Sequence, residues 1–460
     1  MTQASKTTQT PPAASPAKAR VDEGGRGPAT AAGWTAPPAA ADGRIGRRTP
    51  DTIPRGFRNL LSLHDFERAA RRHLPRPLYA YVSGGVEEGR SIRNATDAYD
   101  DHVLLPRFCT PVAGASAATR VLDEDWQAPF AIAPMGIAAM MGYRADLALA
   151  GAAREAGIPM VISGSSLIPL EEIMQVYPRA WFQAYVPPDE PRLRALLERA
   201  RAAGVQTLVI TIDSPVGSNR ENNIRAGFSS PLRPSLRLAW DGITRPRWLL
   251  QTFLPTLWRH GIPHFENLYA ERGVPIIARH VQREFGGRAH FSWDHLAHIR
   301  RLWPGRLVVK GILHPGDARR AVATGADAIG VSNHGGRQLD GTVAPLHVLP
   351  HIREALPDTP ILLDGAIRRG TQAVKALALG ADLVLVGRPF NYAAALGRQP
   401  GVDWAISILK GEITRTLAQV GLRRIDELSP DILLPRGPIP PGAIPSDGGQ
   451  DASDQPADHL

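Results

Sequence analysis

The sequence contains a single cysteine, Cys109, in 460 residues, so the chain cannot form an internal disulfide. One thiol also cannot supply the ligands of a zinc or iron–sulfur site, and we expect no metal. No run of about 18 apolar residues is present that could cross a membrane. The N-terminus lacks the apolar core of a signal peptide. We therefore expect a protein of the reducing cytoplasm.

Acidic residues are fewer than basic ones, with 44 Asp and Glu against 53 Lys and Arg. The resulting net charge of +9 admits nucleic acid, an anionic membrane surface, or an anionic substrate and cofactor as partners. No compact Lys/Arg run with interleaved aromatic residues occurs, which is the pattern that follows a nucleic-acid backbone. We therefore expect no nucleic-acid partner.

Large apolar residues are scarce at both ends of the chain. Residues 1–50 consist mainly of Ala, Pro, Thr, Gly and Ser, and residues 435–460 are rich in Pro, Gly and Asp. Such segments cannot bury enough surface to offset the entropy lost on ordering. We predict two disordered tails around one folded domain at 55–434.

Eight apolar segments of strand length recur in that domain, and segments of helical character at 144–156, 189–203, 315–324 and 370–379 lie between them. Alternating units with continuously apolar strands predict an α/β fold with a parallel sheet covered on both sides. An open, doubly wound sheet is the alternative. Eight units with polar residues at nearly every strand end favour the closed (β/α)8 TIM barrel. The strands are FAIAPM (130–135), MVISGS (160–165), AWFQAYV (180–186), TLVITID (207–213), RLVVKGI (306–312), AIGVSN (328–333), PILLDG (360–365) and LVLVGR (383–388).

The spacing breaks after the fourth strand, where about ninety residues separate Asp213 from Arg306. This predicts an insertion at about 214–300. Its portion 231–275 combines Trp, Leu and Phe with six Arg against three acidic residues. One interpretation is a mobile lid or a patch at a membrane interface. The other is a long loop packed on its own barrel or on another subunit.

The segment SNHGGRQLDG (332–341) follows a strand and places an imidazole and a guanidinium three residues apart. Arg337 could hold a carboxylate while His334 removes a proton beside it. Asp213 ends another strand, and catalytic groups of such barrels lie at the C-terminal strand ends, so it could orient His334. Lys310 closes a buried strand, which predicts an anionic partner. The loops LLDGAIRRG (362–370) and VGRPF (386–390) follow the last two strands, where barrels commonly bind phosphate.

Six motifs together resemble the FMN-dependent family that oxidises 2-hydroxy acids, which includes glycolate and lactate oxidases, lactate dehydrogenases and mandelate dehydrogenase. The resemblance covers about residues 60–434. It implies bound FMN, an L-2-hydroxy acid as substrate, and a homo-oligomer, commonly a tetramer. The motifs are SNHGGRQLDG, LLDGAIRRGTQAVKALALGAD, LVVKGI, WFQAYV, VITIDSP and LPRPLYAYVSGG.

Carried over position by position, the resemblance implies that His334 is the catalytic base. Arg220, Arg337 and Tyr81 match carboxylate-binding residues, and Tyr185 matches the residue beside the substrate hydroxyl. The positions expected to contact FMN are Pro134, Met135, Gly136, Ser163, Gln183, Thr211, Lys310, Ser332, Asp364, Gly365, Ala366, Arg368, Gly387 and Arg388.

Four positions depart from the family pattern, and one of them, Asn219, replaces an arginine found in some members. Ala366 replaces the second glycine of a DGG turn. Ser165 and Val216 are smaller than the residues often found on the substrate side, which predicts a roomier pocket.

Two functions other than 2-hydroxy-acid oxidation are the alternatives. One is that of a family member that oxidises an amine or peptide-derived substrate, and the other is that of an FMN-dependent isomerase, although an isomerase needs no carboxylate clamp. Oxygen, a quinone or a cytochrome could reoxidise the flavin. The basic, aromatic insertion favours a membrane-linked enzyme at the inner face.

Overall fold

The computed structural model describes residues 54–187, 189–277, 288–439 and residue 444. The predicted N-terminal tail, 1–50, lies outside these residues, as does most of the predicted C-terminal tail. Three short strands precede the main sheet, namely β1 (His102–Leu104), β2 (Thr119–Val121) and β3 (Glu124–Trp126). β1 pairs with the last strand, β12 (Leu433–Pro435), and β2 pairs with β3.

All eight predicted strands form one parallel sheet, in the hydrogen-bonded order β4-β11-β10-β9-β8-β7-β6-β5. A parallel bridge between Ile132 and Met160 joins the two edge strands, so the sheet curls into a barrel. The predicted TIM barrel is confirmed. Its strands are β4 (Phe130–Ile132), β5 (Val161–Ser163), β6 (Trp181–Ala184), β7 (Thr207–Thr211), β8 (Arg306–Ile312), β9 (Ala328–Ser332), β10 (Ile361–Asp364) and β11 (Leu383–Val386).

The strands are short and almost entirely buried, because each carries apolar side chains on both of its faces. Helices cover the outside of the barrel, and the four predicted helices are present as α5, α7, α13 and α15. The helices are α1 (Leu63–His73), α2 (Arg76–Ser83), α3 (Arg90–Asp97), α4 (Ala138–Met141), α5 (Ala145–Ala156), α6 (Leu170–Val176), α7 (Glu190–Ala202), α8 (Glu221–Ala226), α9 (Leu236–Ile243), α10 (Pro246–Trp248), α11 (Leu254–His260), α12 (Trp293–Leu302), α13 (Pro315–Ala323), α14 (Pro345–Ala355), α15 (Gly370–Ala378) and α16 (Arg388–Gln419).

The described part of the insertion after β7 contains several short helices. A π-helical turn, Leu249–Phe253, links α10 to α11. The indole of Trp248 is buried and donates a hydrogen bond to the Met140 carbonyl at 2.8 Å, which anchors these helices on the barrel. Other large side chains of the insertion point outward, including Leu236 (92% exposed) and Trp258 (85% exposed). The insertion therefore packs on the barrel through Trp248 and also exposes apolar side chains. Within the described residues, no helix is long and apolar enough to cross a bilayer.

Candidate functional site

A cleft of about 410 Å³ opens at the C-terminal ends of the barrel strands. Its volume lies within the range of small-molecule sites. Two predicted site residues, Asp213 and Ser332, lie behind its wall rather than on it. The other predicted residues all line the cleft: Tyr81, Pro134, Met135, Gly136, Ser163, Gln183, Tyr185, Thr211, Arg220, Lys310, His334, Arg337, Asp364, Gly365, Ala366, Arg368, Gly387 and Arg388.

His334 and Asp213 meet at the ends of two strands that are not neighbours in the sheet. Nδ1 of His334 lies 2.7 Å from Oδ1 of Asp213. His334 has a left-handed backbone with φ of 56°, and its N–H donates to Ser332 Oγ at 2.9 Å. The next two glycines are also left-handed. This turn directs the imidazole into the cleft, and left-handed residues that are not glycine are held only where the surroundings enforce them.

The ionisation of His334 and Asp213 depends on their burial and on the charges around them. Burial lowers the pKa of His334, and the Asp213 carboxylate offsets only part of that shift. Burial alone would raise the pKa of Asp213, but His334 and Lys310 outweigh it and hold that pKa below its ordinary value. The histidine is therefore neutral and the aspartate ionised near neutral pH, which is the protonation state of a general base with an orienting carboxylate.

Two guanidinium groups share the cleft with the imidazole. Nη1 of Arg337 donates to the carbonyls of Tyr81 at 2.6 Å and Gly84 at 2.9 Å, and the Arg337 guanidinium carbon lies 4.8 Å from the Tyr81 ring centroid. Nε of Arg220 donates to the Arg337 carbonyl at 3.2 Å. Burial lowers the pKa of Arg337 to about 9, and the charge of Arg220 contributes to the shift. Two adjacent cations that repel each other are suited to binding an anion.

Lys310 already has an anionic partner within the protein, the carboxylate of Asp364. Its ammonium lies 2.6 Å from Oδ2 of Asp364 and donates to Ser332 Oγ at 2.9 Å. Burial alone would lower the pKa of Lys310, but Asp364 and Asp213 outweigh it, and the pKa lies above the ordinary value. The lysine therefore stays charged at the floor of the cleft, with Asp364 already bound to it.

Cationic groups also gather where the last two strands end. Arg388 begins the long helix α16, and its guanidinium donates to the carbonyls of Val82 at 2.8 Å and Gly335 at 2.8 Å. Arg368 lines the same end of the cleft. Ala366, at the departure from the DGG turn, is left-handed with φ of 55°, which explains why glycine suits this position. A helix N-terminus with two arginines is suited to a phosphate.

These residues fit FMN. The end of the cleft beside α16 is suited to the phosphate, and Lys310 lies at the floor of the cleft. Gln183 bonds through Oε1 to the Gly164 N–H at 3.3 Å, while its buried Nε2 has no hydrogen-bond partner among the described residues. A buried donor without a partner is costly, so Nε2 fits a ligand acceptor such as a flavin carbonyl.

Some cleft residues were missed by the sequence analysis. Phe228 stacks on Tyr81 with ring centroids 4.5 Å apart, and the Arg288 guanidinium carbon lies 4.0 Å from the Tyr185 ring centroid. Phe228 and Arg288 belong to the insertion, and neither follows a predicted strand, so nothing in the sequence indicated that they lie at the barrel mouth. Asn391, in the first turns of α16, also lines the cleft. Ser165 and Val216, singled out for their small size, line it as well.

The chain is similar to known proteins along most of its length. A model of the FMN-dependent dehydrogenase family matches residues 70–435. The (S)-mandelate dehydrogenase of Pseudomonas putida is 37% identical over 382 residues, covering 82% of this chain and 95% of the relative. The L-lactate dehydrogenase of Pseudomonas entomophila is 38% identical over 375 residues, covering 80% and 97%. A crystal structure described as the monotopic membrane protein (S)-mandelate dehydrogenase superposes with a TM-score of 0.75 at 35% identity, covering 82% of this chain and all of that one.

Proposed function

Since the chain belongs to the FMN-dependent dehydrogenase family, we propose that it oxidises an L-2-hydroxy acid, lactate-like or larger, to the 2-oxo acid. The observation that carries this proposal is the convergence of the His334–Asp213 pair with two guanidinium groups in one cleft. A base beside an anion clamp suits removal of a proton next to a carboxylate. We assign the FMN-binding domain to residues 55–434.

His334 acts as the base in this proposal. Its Nδ1 hydrogen-bonds Asp213, so the neutral ring presents Nε2 as the nitrogen that accepts a proton. The proton comes from the substrate, either from Cα or from the hydroxyl. Asp213 fixes the orientation of the ring and stabilises the imidazolium that forms. Tyr185 contacts the substrate hydroxyl.

Arg220, Arg337 and Tyr81 hold the substrate carboxylate. The backbone carbonyls that bind Arg337 fix its position before substrate arrives. Such orientation can lower a barrier by roughly 7–11 kcal/mol. Because the two cations repel each other and are partly withdrawn from water, a carboxylate between them relieves an unfavourable arrangement.

FMN, when bound, accepts the two electrons that the substrate loses, and a quinone, a cytochrome or oxygen then accepts them from the flavin. We propose that Lys310 stabilises negative charge on the flavin ring and that Ser163, Gln183 and Thr211 hold the ring. Pro134, Met135 and Gly136 lie against it. Contacts to the ribityl chain and the phosphate would come from Asp364, Gly365, Ala366, Arg368, Gly387 and Arg388, while Ser332, behind the cleft wall, would position Lys310 through its 2.9 Å hydrogen bond.

An anaerobic titration of the purified yellow protein tests the proposal. Lactate, glycolate, mandelate and longer 2-hydroxy acids are added in turn, and the flavin absorbance at about 450 nm is followed. Bleaching by at least one of them is expected. Retained flavin that none of these acids bleaches would contradict the proposal and favour an amine substrate or an isomerase.

We also propose that the enzyme is cytoplasmic, assembles as a homo-oligomer such as a tetramer, and associates peripherally with the inner face of a membrane. The support for membrane contact is the exposed insertion surface, which we define as the outward-facing Leu236, Trp240, Ile243, Leu250 and Trp258. Five arginines accompany these side chains between residues 233 and 259. Aromatic and apolar groups with nearby arginines suit the headgroup region of an anionic bilayer.

A further inference from the structure

The cationic side chains that line the cleft outnumber the anions assigned to them. Lys310 is paired with Asp364, and the two arginines near α16 are assigned to the FMN phosphate. Arg220 and Arg337 are assigned to the substrate carboxylate. One further guanidinium lines the same cleft, that of Arg288, and it has no task in the proposed reaction.

Arg288 is held by an aromatic ring rather than by an acid. Its guanidinium carbon lies 4.0 Å from the centroid of the Tyr185 ring. In the part of the chain that the structure describes, no carboxylate forms an ion pair with it. Stacking on a ring occupies only the face of a guanidinium and leaves the N–H groups at its edge able to donate. Arg288 thus presents donors beside the tyrosine assigned to the substrate hydroxyl.

Arg288 lies on the same side of the cleft as Tyr185 and Asp213. Burial lowers the pKa of Arg288, while Tyr185, Tyr269 and Asp213 act in the opposite direction, so the group is close enough to sense the carboxylate behind the catalytic imidazole. It remains charged at neutral pH. A partly desolvated cation without an acidic partner gains most from a ligand anion, since charge-assisted hydrogen bonds are strongest away from water.

We propose that Arg288 binds a second carboxylate, carried on the side chain of the substrate, and that the preferred substrates are therefore 2-hydroxy dicarboxylic acids. This inference rests on the proposed oxidation of 2-hydroxy acids at the same site. The second carboxylate takes no part in the chemistry, and none of its bonds changes. It sets specificity, because a neutral side chain leaves the Arg288 donors without their anion.

Matched substrates test the inference. The value of kcat/KM is measured for 2-hydroxypentanedioate, with two carboxylates, and for 2-hydroxypentanoate, whose chain has the same length and ends in a methyl group. Diacids of four and six carbons are included to find the length that fits. Wild-type enzyme is expected to prefer the best diacid by at least about tenfold, the effect of one charge-assisted hydrogen bond.

The variant Arg288→Met removes the charge and retains much of the apolar stem. The ratio of its kcat/KM values for 2-hydroxypentanedioate and 2-hydroxypentanoate is expected to fall to about one, and Arg288→Lys should keep part of the preference. Arg233→Met, at an exposed arginine of the same insertion, is the control for net charge. Calorimetric Kd values for 2-oxopentanedioate and 2-oxopentanoate on the oxidised enzyme should show the same difference without turnover.

The outcomes separate the two proposals. If no 2-hydroxy acid is oxidised although flavin is retained, the proposed function itself fails. If 2-hydroxypentanoate or mandelate is oxidised as well as every diacid, or if Arg288→Met keeps the diacid preference, then Arg288 is only a structural partner of Tyr185 and the inference on substrate class is overturned.

Discussion

The imidazole of His334 reaches the Asp213 carboxylate, 2.7 Å away, beside Gly311, which leaves room for Asp213. A Cβ at residue 311 would lie 2.6 Å from Cβ of Asp213, and the φ of Gly311 is 108°. The glycine therefore permits the close approach, and β8 and β9 shift register at the same point. The geometry of the His334–Asp213 pair therefore depends on the backbone of a third strand, β8.

Substituting Asp213 by Asn should lower kcat/KM by about 10²–10⁴-fold while FMN content stays unchanged, because the imidazole loses its orientation and its counter-charge. The pH profile gives a second measurement. Burial lowers the pKa of His334 below its ordinary value of 6.5, and the base must be neutral, so activity should fall only as the pH drops below 6.5. The Asp213 charge raises that pKa, so Asp213→Asn should move the acid limb to still lower pH.

Asp327→Asn serves as the matched control, since that carboxylate lies at the other end of the barrel and bonds Arg300. It should leave both the rate and the acid limb unchanged. An Asp213→Asn enzyme with a normal rate, or an acid limb that moves to higher pH, would remove Asp213 from the mechanism.

Removing one partner of the buried ion pair between Lys310 and Asp364 should be strongly destabilising. Their side chains are only 5% and 16% exposed. Lys310→Met leaves Asp364 as a buried, unpaired charge, and the free energy of unfolding should fall by about 3–5 kcal/mol. The double variant Lys310→Met/Asp364→Asn should recover at least half of this loss because no charge is left unpaired. Urea unfolding of the FMN-stripped proteins measures both, and a double variant as unstable as the sum of the single changes would be inconsistent with a coupled pair.

The barrel could be predicted from the sequence because each strand is a short, continuously apolar segment that ends at a polar residue. Segments such as TLVITID and LVLVGR have few other stable arrangements. His334, Asp213 and Lys310 could also be predicted from the sequence, because catalytic groups of such barrels lie at the C-terminal ends of the strands. Tyr81 and Arg220 lie outside the barrel strands, and only the resemblance to a family pointed to them.

The contributions of the insertion could not be predicted in the same way. Arg288 and Phe228 reach the cleft through tertiary packing against Tyr185 and Tyr81, and neither has a periodic pattern or a strand end beside it. The left-handed backbone of His334 was also not foreseeable, since a residue with a side chain adopts it only when its neighbours enforce it. Local sequence marks the strands, whereas contacts distant in sequence complete the cleft.

Arg337→Lys should raise KM for the 2-hydroxy acid by about 10- to 100-fold with a smaller effect on kcat. An ammonium cannot donate to the Tyr81 and Gly84 carbonyls and also bind a carboxylate with two parallel hydrogen bonds. Arg90→Lys, at an exposed arginine, is the control. Equal KM values for the two variants would exclude a carboxylate-binding role for Arg337.

The exposed insertion surface gives the last prediction. Trp240 and Trp258 are 67% and 85% exposed, and burial of each indole in a membrane interface would remove much apolar area from water. The variant Trp240→Ser/Trp258→Ser should bind vesicles containing an anionic phospholipid at least about tenfold more weakly than wild type in a sedimentation assay. Its flavin reduction by a 2-hydroxy acid should be unchanged, because neither residue lines the cleft.

The salt dependence and a control variant distinguish membrane binding through the insertion from nonspecific hydrophobic adsorption. Binding of the wild type should weaken as ionic strength rises, since the arginines of the insertion contribute a screened attraction to the anionic headgroups. Phe108→Ser removes an aromatic ring that is 73% exposed outside the insertion and should leave vesicle binding intact. If Phe108→Ser reduces binding as much as the tryptophan changes do, or if the tryptophan variant binds as well as wild type, then the insertion is not the membrane-contacting surface and its exposed side chains must be covered in another way, such as by a second subunit.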